Sequence, residues 1–281
     1  MLQLNAAVAL FGLAGLLGKA TTASALMIVA GRTVFGSIAF AILFGAGLLA
    51  WPTGSKRRLW QLAVPGGILA FHWFSFFQAI QLSSVAIALL AYSSFPVFIT
   101  LFEPMIFREP RRRIDAITAL LVLLGLLVLV PKFDLDDKTT LGIGWGILSG
   151  LSFACLLLLN RGLARQFTPA VIAAGQGFFA AVLLLLLLPT YYQPLTAQDW
   201  CLLVLLGVVF TALAHFLFIQ SLVHVRAQLA SIVSALEPIY GGLFAWLLLG
   251  EVPSLRTACG GALILSAVVI GAAMPPGPTA D

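Results

Sequence analysis

Apolar runs follow one another along this chain, separated by short polar breaks. A hydrocarbon core about 30 Å thick takes about 20 apolar residues per helical crossing. Ten such runs lie at 3–19, 26–50, 59–80, 85–106, 114–130, 140–160, 169–188, 199–222, 228–248 and 254–273. The longest gaps between them, Pro131 to Thr139 and Pro189 to Gln198, are too short for a folded catalytic domain. The pattern predicts an all-α integral membrane protein of ten transmembrane helices, with any chemistry placed between helices.

Composition removes the soluble alternative. The 281 residues are 61% hydrophobic and 9% charged, against about 25% charged in a soluble domain. Cys155, Cys201 and Cys259 all fall in apolar runs, so they read as small apolar filler and not as a disulfide framework. The first run has no basic residues before it and is expected to remain in the membrane. A net charge of +5 could suggest nucleic acid, but its distribution marks orientation instead. With the N-terminus inside, Lys56, Arg57, Arg58, Arg108, Arg111, Arg112, Arg113, Arg161, Arg165 and Arg226 fall on cytoplasmic loops. Lys19, Lys132, Lys138 and Arg256 then face out. Both termini are therefore expected in the cytoplasm of a bacterial-type inner membrane, with Arg111 to Arg113 as an anchor beside anionic lipid.

The two halves resemble each other at an offset of 142 residues. Phe11 matches Phe153, the run Leu16 to Lys19 matches Leu158 to Arg161, Gln78 matches Gln220, Ala88 matches Ala230, Pro96 matches Pro238, and Glu109 matches Glu251. Five spans per repeat is an odd number, so every equivalent helix runs in the opposite direction. The organisation expected is a first five-helix repeat over 1–131, a connection over 132–139, an inverted second repeat over 140–273 and a tail over 274–281. Inverted repeats with a midplane site between them are a secondary-transporter architecture.

Paired Pro-interrupted spans at corresponding positions point to such a site. Pro96 and Pro238 interrupt spans four and nine and are the candidate hinges. Tyr92, Pro96, Ile99 and Glu103 share a face by helical spacing, with Ser93 and Ser94 beside them. Span nine offers Gln228, Ser231, Ser234 and Glu237, the one carboxylate near the middle of a span, where a charge is expensive unless it meets water, a partner or a proton. Span three adds His72, Trp73, Ser75, Phe76 and Gln78; span eight adds Thr211, His215 and Gln220. Trp73, Phe76, Tyr92, Phe95, Trp145 and Tyr240 could offer ring faces to an aromatic, aliphatic or cationic solute. Arg32 lies some way into span two and could meet a substrate carboxylate, but a long side chain starting that near the outer end is expected to snorkel to the interface.

Other chemistry is poorly supplied. Gly18-Lys19 is followed by Ala20, with Leu13 where a phosphate loop needs glycine. Gly142, Gly146 and Gly150, four residues apart, read as a close helix contact. His72, His215 and His224 are isolated, so no metal-site spacing appears. Ser149-Gly150 would need a histidine within reach to make an intramembrane serine hydrolase. A channel would need rings of carbonyls or charges. Enzyme and channel are thus the minor alternatives, and no cofactor is expected.

These landmarks resemble the drug/metabolite transporter superfamily, EamA type, whose members carry two copies of a five-helix unit with a Pro-containing fourth helix ending in an acidic residue. Glu237-Pro238 with Gly250-Glu251 matches that pattern, and Phe95-Pro96 with Arg108-Glu109 matches it without the first carboxylate. The resemblance covers essentially the whole chain. It implies an inverted-repeat bundle around a central cavity formed mainly by spans one, three, four, six, eight and nine, with spans five and ten peripheral. His72-Trp73 and the aromatic supply are similar to the exporter subgroup for aromatic and other neutral amino acids. The resemblance implies a small-molecule carrier, with export of other metabolites or of cationic drugs as the alternative. Glu237 would bind a substrate ammonium or exchange a proton. Glu109 and Glu251, each just before a new helix, are expected to stabilise helix N-termini.

Overall fold

The structure, a computed structural model, describes residues 2–50, 56–107, 113–129, 134, 136–222, 233–234 and 236–273. All regular elements among them are helical. In chain order they are α1 (Leu2–Ala20), α2 (Ala25–Gly45), a 3-10 turn (Lys56–Leu62) running into α3 (Ala63–Leu82), α4 (Val85–Tyr92), α5 (Phe95–Phe107) and α6 (Arg113–Leu129). The second half holds α7 (Lys138–Leu163), α8 (Pro169–Tyr191), α9 (Ala197–Gly207), a π-helical stretch (Val208–Leu213), α10 (Ala214–Leu222), α11 (Glu237–Leu249) and α12 (Leu255–Ala273). Seven continuous helical stretches are long and apolar enough to cross a membrane, and three shorter apolar helices, Ala116–Leu129, Glu237–Leu249 and Leu255–Ala267, complete ten spans.

Local chemistry sets the boundaries. Ser24, Ser84, Asp137 and Thr168 each accept a hydrogen bond from the backbone N–H three residues on, satisfying a donor that the first helical turn leaves open. Thr196 and Asp199 close a reciprocal capping box at the start of α9. Two expected boundaries move. Span two ends at Gly45 and not at residue 50, because Gly47 turns the chain with φ of 71°. Span four is two helices: α4 stops at Tyr92 and α5 starts at Phe95. The break therefore lies at Ser93-Ser94, ahead of the proline, and Pro96 is the second residue of α5. Pro238 is likewise the second residue of α11, where a missing N–H costs nothing in the helix.

That break separates the face drawn through Tyr92, Pro96, Ile99 and Glu103. Tyr92 is buried at the end of α4, while Glu103 on α5 is partly exposed and takes a 2.6 Å hydrogen bond from Arg161 Nη1 on α7.

The tertiary contacts follow the inverted repeat. Helix α1 packs on α10 and α11, and its counterpart α7 packs on α3, α4 and α5; α2 packs on α8, and α6 on α12. Backbones meet closely where side chains vanish: a Cβ on Gly12 would lie 2.9 Å from Gly241 N, bringing α1 against α11. The Gly146 and Gly150 positions of α7 press on α4 and the Ser93-Ser94 break in the same way, as their spacing predicted.

Two charged residues tie the corner between α3 and α4. Lys19 Nζ donates to the carbonyls of Ile80 (3.0 Å) and Ser83 (3.3 Å) at the C-terminal end of α3. Glu251 Oε2 accepts from Val85 N (3.1 Å), the first residue of α4. Glu251 thus serves a helix N-terminus in the other repeat and not the one that follows it; Glu109 lies outside the described residues.

Candidate functional site

The four helix segments α1, α3, α4 and α7 and the second-half segments α10 and α11 enclose a narrow cavity, with Arg32 entering it from α2. Its volume is about 40 Å³, room for about three waters at about 10–15 Å³ each. The site is closed in this conformation, and any larger solute needs the helices to part. A wider hollow of about 390 Å³ lies elsewhere, on the flank of α3 and α7 between Val64, Gly67, Ile68, Phe71, Ser152 and Cys155. It carries no charged group.

The wall of the central cavity is aromatic. Phe11 comes from α1, Trp73 and Phe76 from α3, Tyr92 from α4, Phe153 from α7 and Phe218 from α10. Phe153 stands at the middle of this cluster, with ring centroids 5.3 Å from Tyr92, 5.2 Å from His72 and 6.5 Å from Phe218. Of these three, only the Phe153–Tyr92 pair is edge-to-face, an arrangement that adds about 0.5–1.5 kcal/mol beyond area burial.

Arg32 corrects the snorkelling expectation. It is 2% exposed and points inward. Helix α2 meets the α9 segment so closely at Gly36 and Gly207 that a Cβ on Gly207 would lie 3.0 Å from the Arg32 carbonyl oxygen. That approach sets the guanidinium beside the π-helical stretch, where the wider turn displaces backbone carbonyls from the regular ladder. Arg32 Nε donates to Thr211 Oγ1 (2.8 Å) and Nη2 to the Phe210 carbonyl (3.2 Å). Thr211 Oγ1 in turn donates to the Leu206 carbonyl (2.7 Å), so the hydroxyl is fully oriented. The guanidinium carbon lies 4.0 Å from the Trp73 ring centre and 5.3 Å from that of Phe77, a desolvated cation–π arrangement.

Glu237, the first residue of α11, is 6% exposed and also lines the cavity. Its carboxylate makes no hydrogen bond and no ion pair among the described residues. It shares the cavity wall with the oppositely charged Arg32. A buried carboxylate in this position is costly unless a cation, a proton or water completes it.

The histidines are held from behind. His72 Nδ1 lies 3.0 Å from both the carbonyl oxygen and Oγ of Ser149, and Ser149 Oγ donates to the His72 carbonyl (3.1 Å). A proton on Nδ1 satisfies this arrangement and leaves Nε2 as the free ring nitrogen. This is the serine–histidine proximity that hydrolysis would require. Ser149 is nevertheless fully buried in the α3–α7 contact and absent from the cavity wall, so the pair clamps two helices. His215 lies 3.4 Å from Gln176 Oε1 through Nε2, and Gln176 is itself hydrogen-bonded to Asn160. The His215 ring meets Trp73 edge-on at 5.9 Å.

Of the residues singled out from sequence, His72, Trp73, Phe76, Tyr92, His215, Ser234 and Glu237 meet at the cavity. Gln78, Trp145, Gln220 and Tyr240 are half-buried and lie outside its wall, Trp145 packing on Phe74 at 5.6 Å. Ser93 is buried, and its hydroxyl bonds back to the Leu89 carbonyl (2.9 Å). Ser231 lies outside the described residues, as does Gln228. Pro96 and Pro238 stand at the starts of α5 and α11, next to the cavity residues Tyr92 and Glu237. The residues missed were Phe11, Phe153 and Phe218, while Arg32 was expected at the interface. A signal for two of them was present: Phe11 and Phe153 are partners in the repeat. Among the described residues no cluster of three metal-ligating side chains occurs.

Comparison with known proteins agrees with this geometry. The EamA-like transporter family matches twice, over residues 1–130 and 140–271. An uncharacterized transporter of Archaeoglobus fulgidus is 31% identical over 197 residues, covering 70% of each chain. The pseudopaline exporter CntI of Pseudomonas aeruginosa is 27% identical over 220 residues, covering 76% of this chain and 75% of its own. A crystal structure at 21% identity superposes with a TM-score of 0.71 over 96% of this chain and 94% of its own, which shows a shared fold. With a family model that covers both halves of an inverted-repeat helical bundle and relatives named as transporters, the chain belongs to the EamA-like transporter family and is a membrane transporter, not an enzyme.

Proposed function

We propose that this transporter carries amino acids, aromatic and other neutral ones, across a bacterial-type inner membrane by alternating access. The observation that carries the reading is the composition of the cavity: aromatic rings on most sides, with one buried carboxylate, Glu237, that has no hydrogen-bond or ion-pair partner among the described residues. Rings give an apolar or aromatic side chain its surface, and Glu237 takes the ammonium group or a coupling proton. The closed volume of about 40 Å³ fits a conformation between loading and release. Opening is by rocking about the Ser93-Ser94 break with Pro96 and about the start of α11 with Pro238. Ser231 and Ser234 serve the substrate's polar groups, and Ser93, Gln78, Gln220, Trp145 and Tyr240 join the wall when the helices part. The repeats divide at the 132–139 connection, and both termini face the cytoplasm.

The test is uptake of labelled phenylalanine, threonine and methionine into proteoliposomes, with and without an imposed proton gradient. Saturable uptake that competes among neutral amino acids is expected, with Glu237→Gln reducing it or abolishing its gradient dependence. If folded protein moves none of the three, the substrate class is wrong. If Glu237→Gln leaves both rate and gradient response intact, the carboxylate has no such role. A second reading rests on the relative named as a pseudopaline exporter: export of another small metabolite, which a competition panel separates from amino-acid transport.

A further inference from the structure

The geometry points to a two-ended recognition site: Arg32 holds the carboxylate of the substrate while Glu237 holds its ammonium group, so that the cavity selects a zwitterion and rejects molecules carrying one charge alone. This rests on the amino-acid reading and adds to it a specificity-determining residue, Arg32, and a requirement on both ends of the ligand.

The unused hydrogen-bonding capacity of Arg32 carries the argument. A guanidinium has five N–H donors in a planar fork. One edge is spent on the π-helical stretch, Nε on Thr211 Oγ1 (2.8 Å) and one Nη2 hydrogen on the Phe210 carbonyl (3.2 Å). Nη1 makes no hydrogen bond among the described residues, and the residue lines the cavity. The free edge, Nη1 with the second Nη2 hydrogen, is the edge that receives a carboxylate in two parallel bonds. A structural arginine would be expected to spend its donors on the protein. This one is braced on one side and open on the other.

The charge balance gives the second line. Arg32 and Glu237 are both buried, 2% and 6% exposed, and line the same cavity. They face one cavity, yet no ion pair joins them among the described residues. Two opposite buried charges that are near but apart leave both incompletely compensated, and leaving a buried charge unpaired is strongly unfavourable. A ligand carrying a carboxylate and an ammonium on one carbon, as an α-amino acid does, compensates both at once. Its side chain then faces Trp73, Tyr92 and Phe153. A cationic drug would compensate Glu237 and leave Arg32 unpaired beside it, with a like charge introduced nearby, so the site disfavours that class.

The test needs first only the unaltered protein. In detergent, binding of L-phenylalanine is compared by ligand-induced thermal stabilisation and by competition with phenylethylamine, which lacks the carboxylate, and 3-phenylpropionate, which lacks the amine. The expected result is that each one-charge analogue binds about 10- to 100-fold more weakly than phenylalanine. Equal binding of phenylalanine and phenylethylamine would overturn the proposal, whatever any variant does. The second arm uses Arg32→Gln and Arg32→Lys, checked for a monodisperse elution profile. Arg32→Gln should weaken phenylalanine and phenylpropionate while leaving phenylethylamine binding unchanged or stronger, and Arg32→Lys should recover part of the loss. A merely structural arginine predicts equal weakening of all three ligands, which also refutes the idea. Where no amino acid binds the unaltered protein, the amino-acid reading itself fails and this inference falls with it. Where phenylalanine binds but discrimination is absent, that reading stands and only the role of Arg32 is lost.

Discussion

Replacing Thr211 by valine removes one oxygen at nearly constant shape and tests how Arg32 is held inside the membrane. The hydroxyl accepts from Arg32 Nε at 2.8 Å and donates to the Leu206 carbonyl at 2.7 Å. A hydrogen bond to a charged group contributes about 1.5–3 kcal/mol, and a neutral one about 1 kcal/mol. Because Arg32 is 2% exposed, solvent screening does not erode the first figure, while water in the cavity can replace part of the lost bond. The two contributions are separated by a double-mutant cycle with Arg32→Met, which removes the charge and keeps an unbranched side chain. Equilibrium unfolding in mixed detergent micelles should show Thr211→Val destabilised by about 2–4 kcal/mol in the native background. In the Arg32→Met background the same change should cost about 1 kcal/mol, leaving a coupling of about 1–3 kcal/mol. Thr211→Ser should behave as the native protein. A coupling below about 0.5 kcal/mol, the ordinary scatter of independent sites, would mean that Thr211 does not brace Arg32 and that the π-helical stretch has another purpose.

Three further outcomes follow from the packing. Asp199 is 2% exposed and accepts from Thr21 Oγ1, Thr22 N and Thr22 Oγ1, fastening the α1–α2 turn to the start of α9. In a variant with the native cysteines replaced, Ala23→Cys beside this latch should react with a maleimide roughly tenfold faster once Asp199→Asn is added, through more frequent local opening; an unchanged rate would deny the latch. Gly12→Val should lower stability by about 1–3 kcal/mol, because its Cβ would meet the Gly241 backbone at 2.9 Å, where no flexible side chain can yield; a melting temperature equal to the native one would refute the close contact. Arg161→Ala should change stability by less than about 1 kcal/mol, since its pair with Glu103 is 43% and 31% exposed, and a larger drop in the same unfolding assay would show that the pair is more than a surface contact.

The spans were legible because membrane thickness imposes a length and lipid imposes composition, and neither needs tertiary information. The inward faces were far less legible. In a helix bathed in lipid the outer surface is as apolar as the inner one, so the periodicity that marks a buried face in water fades. Trp145 and Tyr240 looked as suitable for a cavity wall as Trp73 and Tyr92. Arg32 was misjudged for a related reason: depth along a helix can be counted, but the direction of a side chain around it depends on the neighbour. Here the neighbour is the glycine contact between α2 and α9 and the π-helical stretch at 208–213, and an i→i+5 turn leaves no regular sequence signature. The Ser149–His72 contact shows the reverse difficulty, since a spacing that chemistry could use is spent on packing.

The ties at the α3–α4 corner reach beyond local capping. Lys19 reaches it from the end of α1, and Glu251 from the turn between α11 and α12, while α1 and α11 are themselves seamed at Gly12 and Gly241. Four helices from both repeats thus share one riveted joint, and bending it would break cation-to-carbonyl and carboxylate-to-amide contacts together. A structure braced at one end yields at the other, much as tongs turn about their rivet. On the proposed alternating-access reading, the compliance needed for a transport cycle therefore lies away from this corner, toward the interruption between α4 and α5 at Ser93-Ser94.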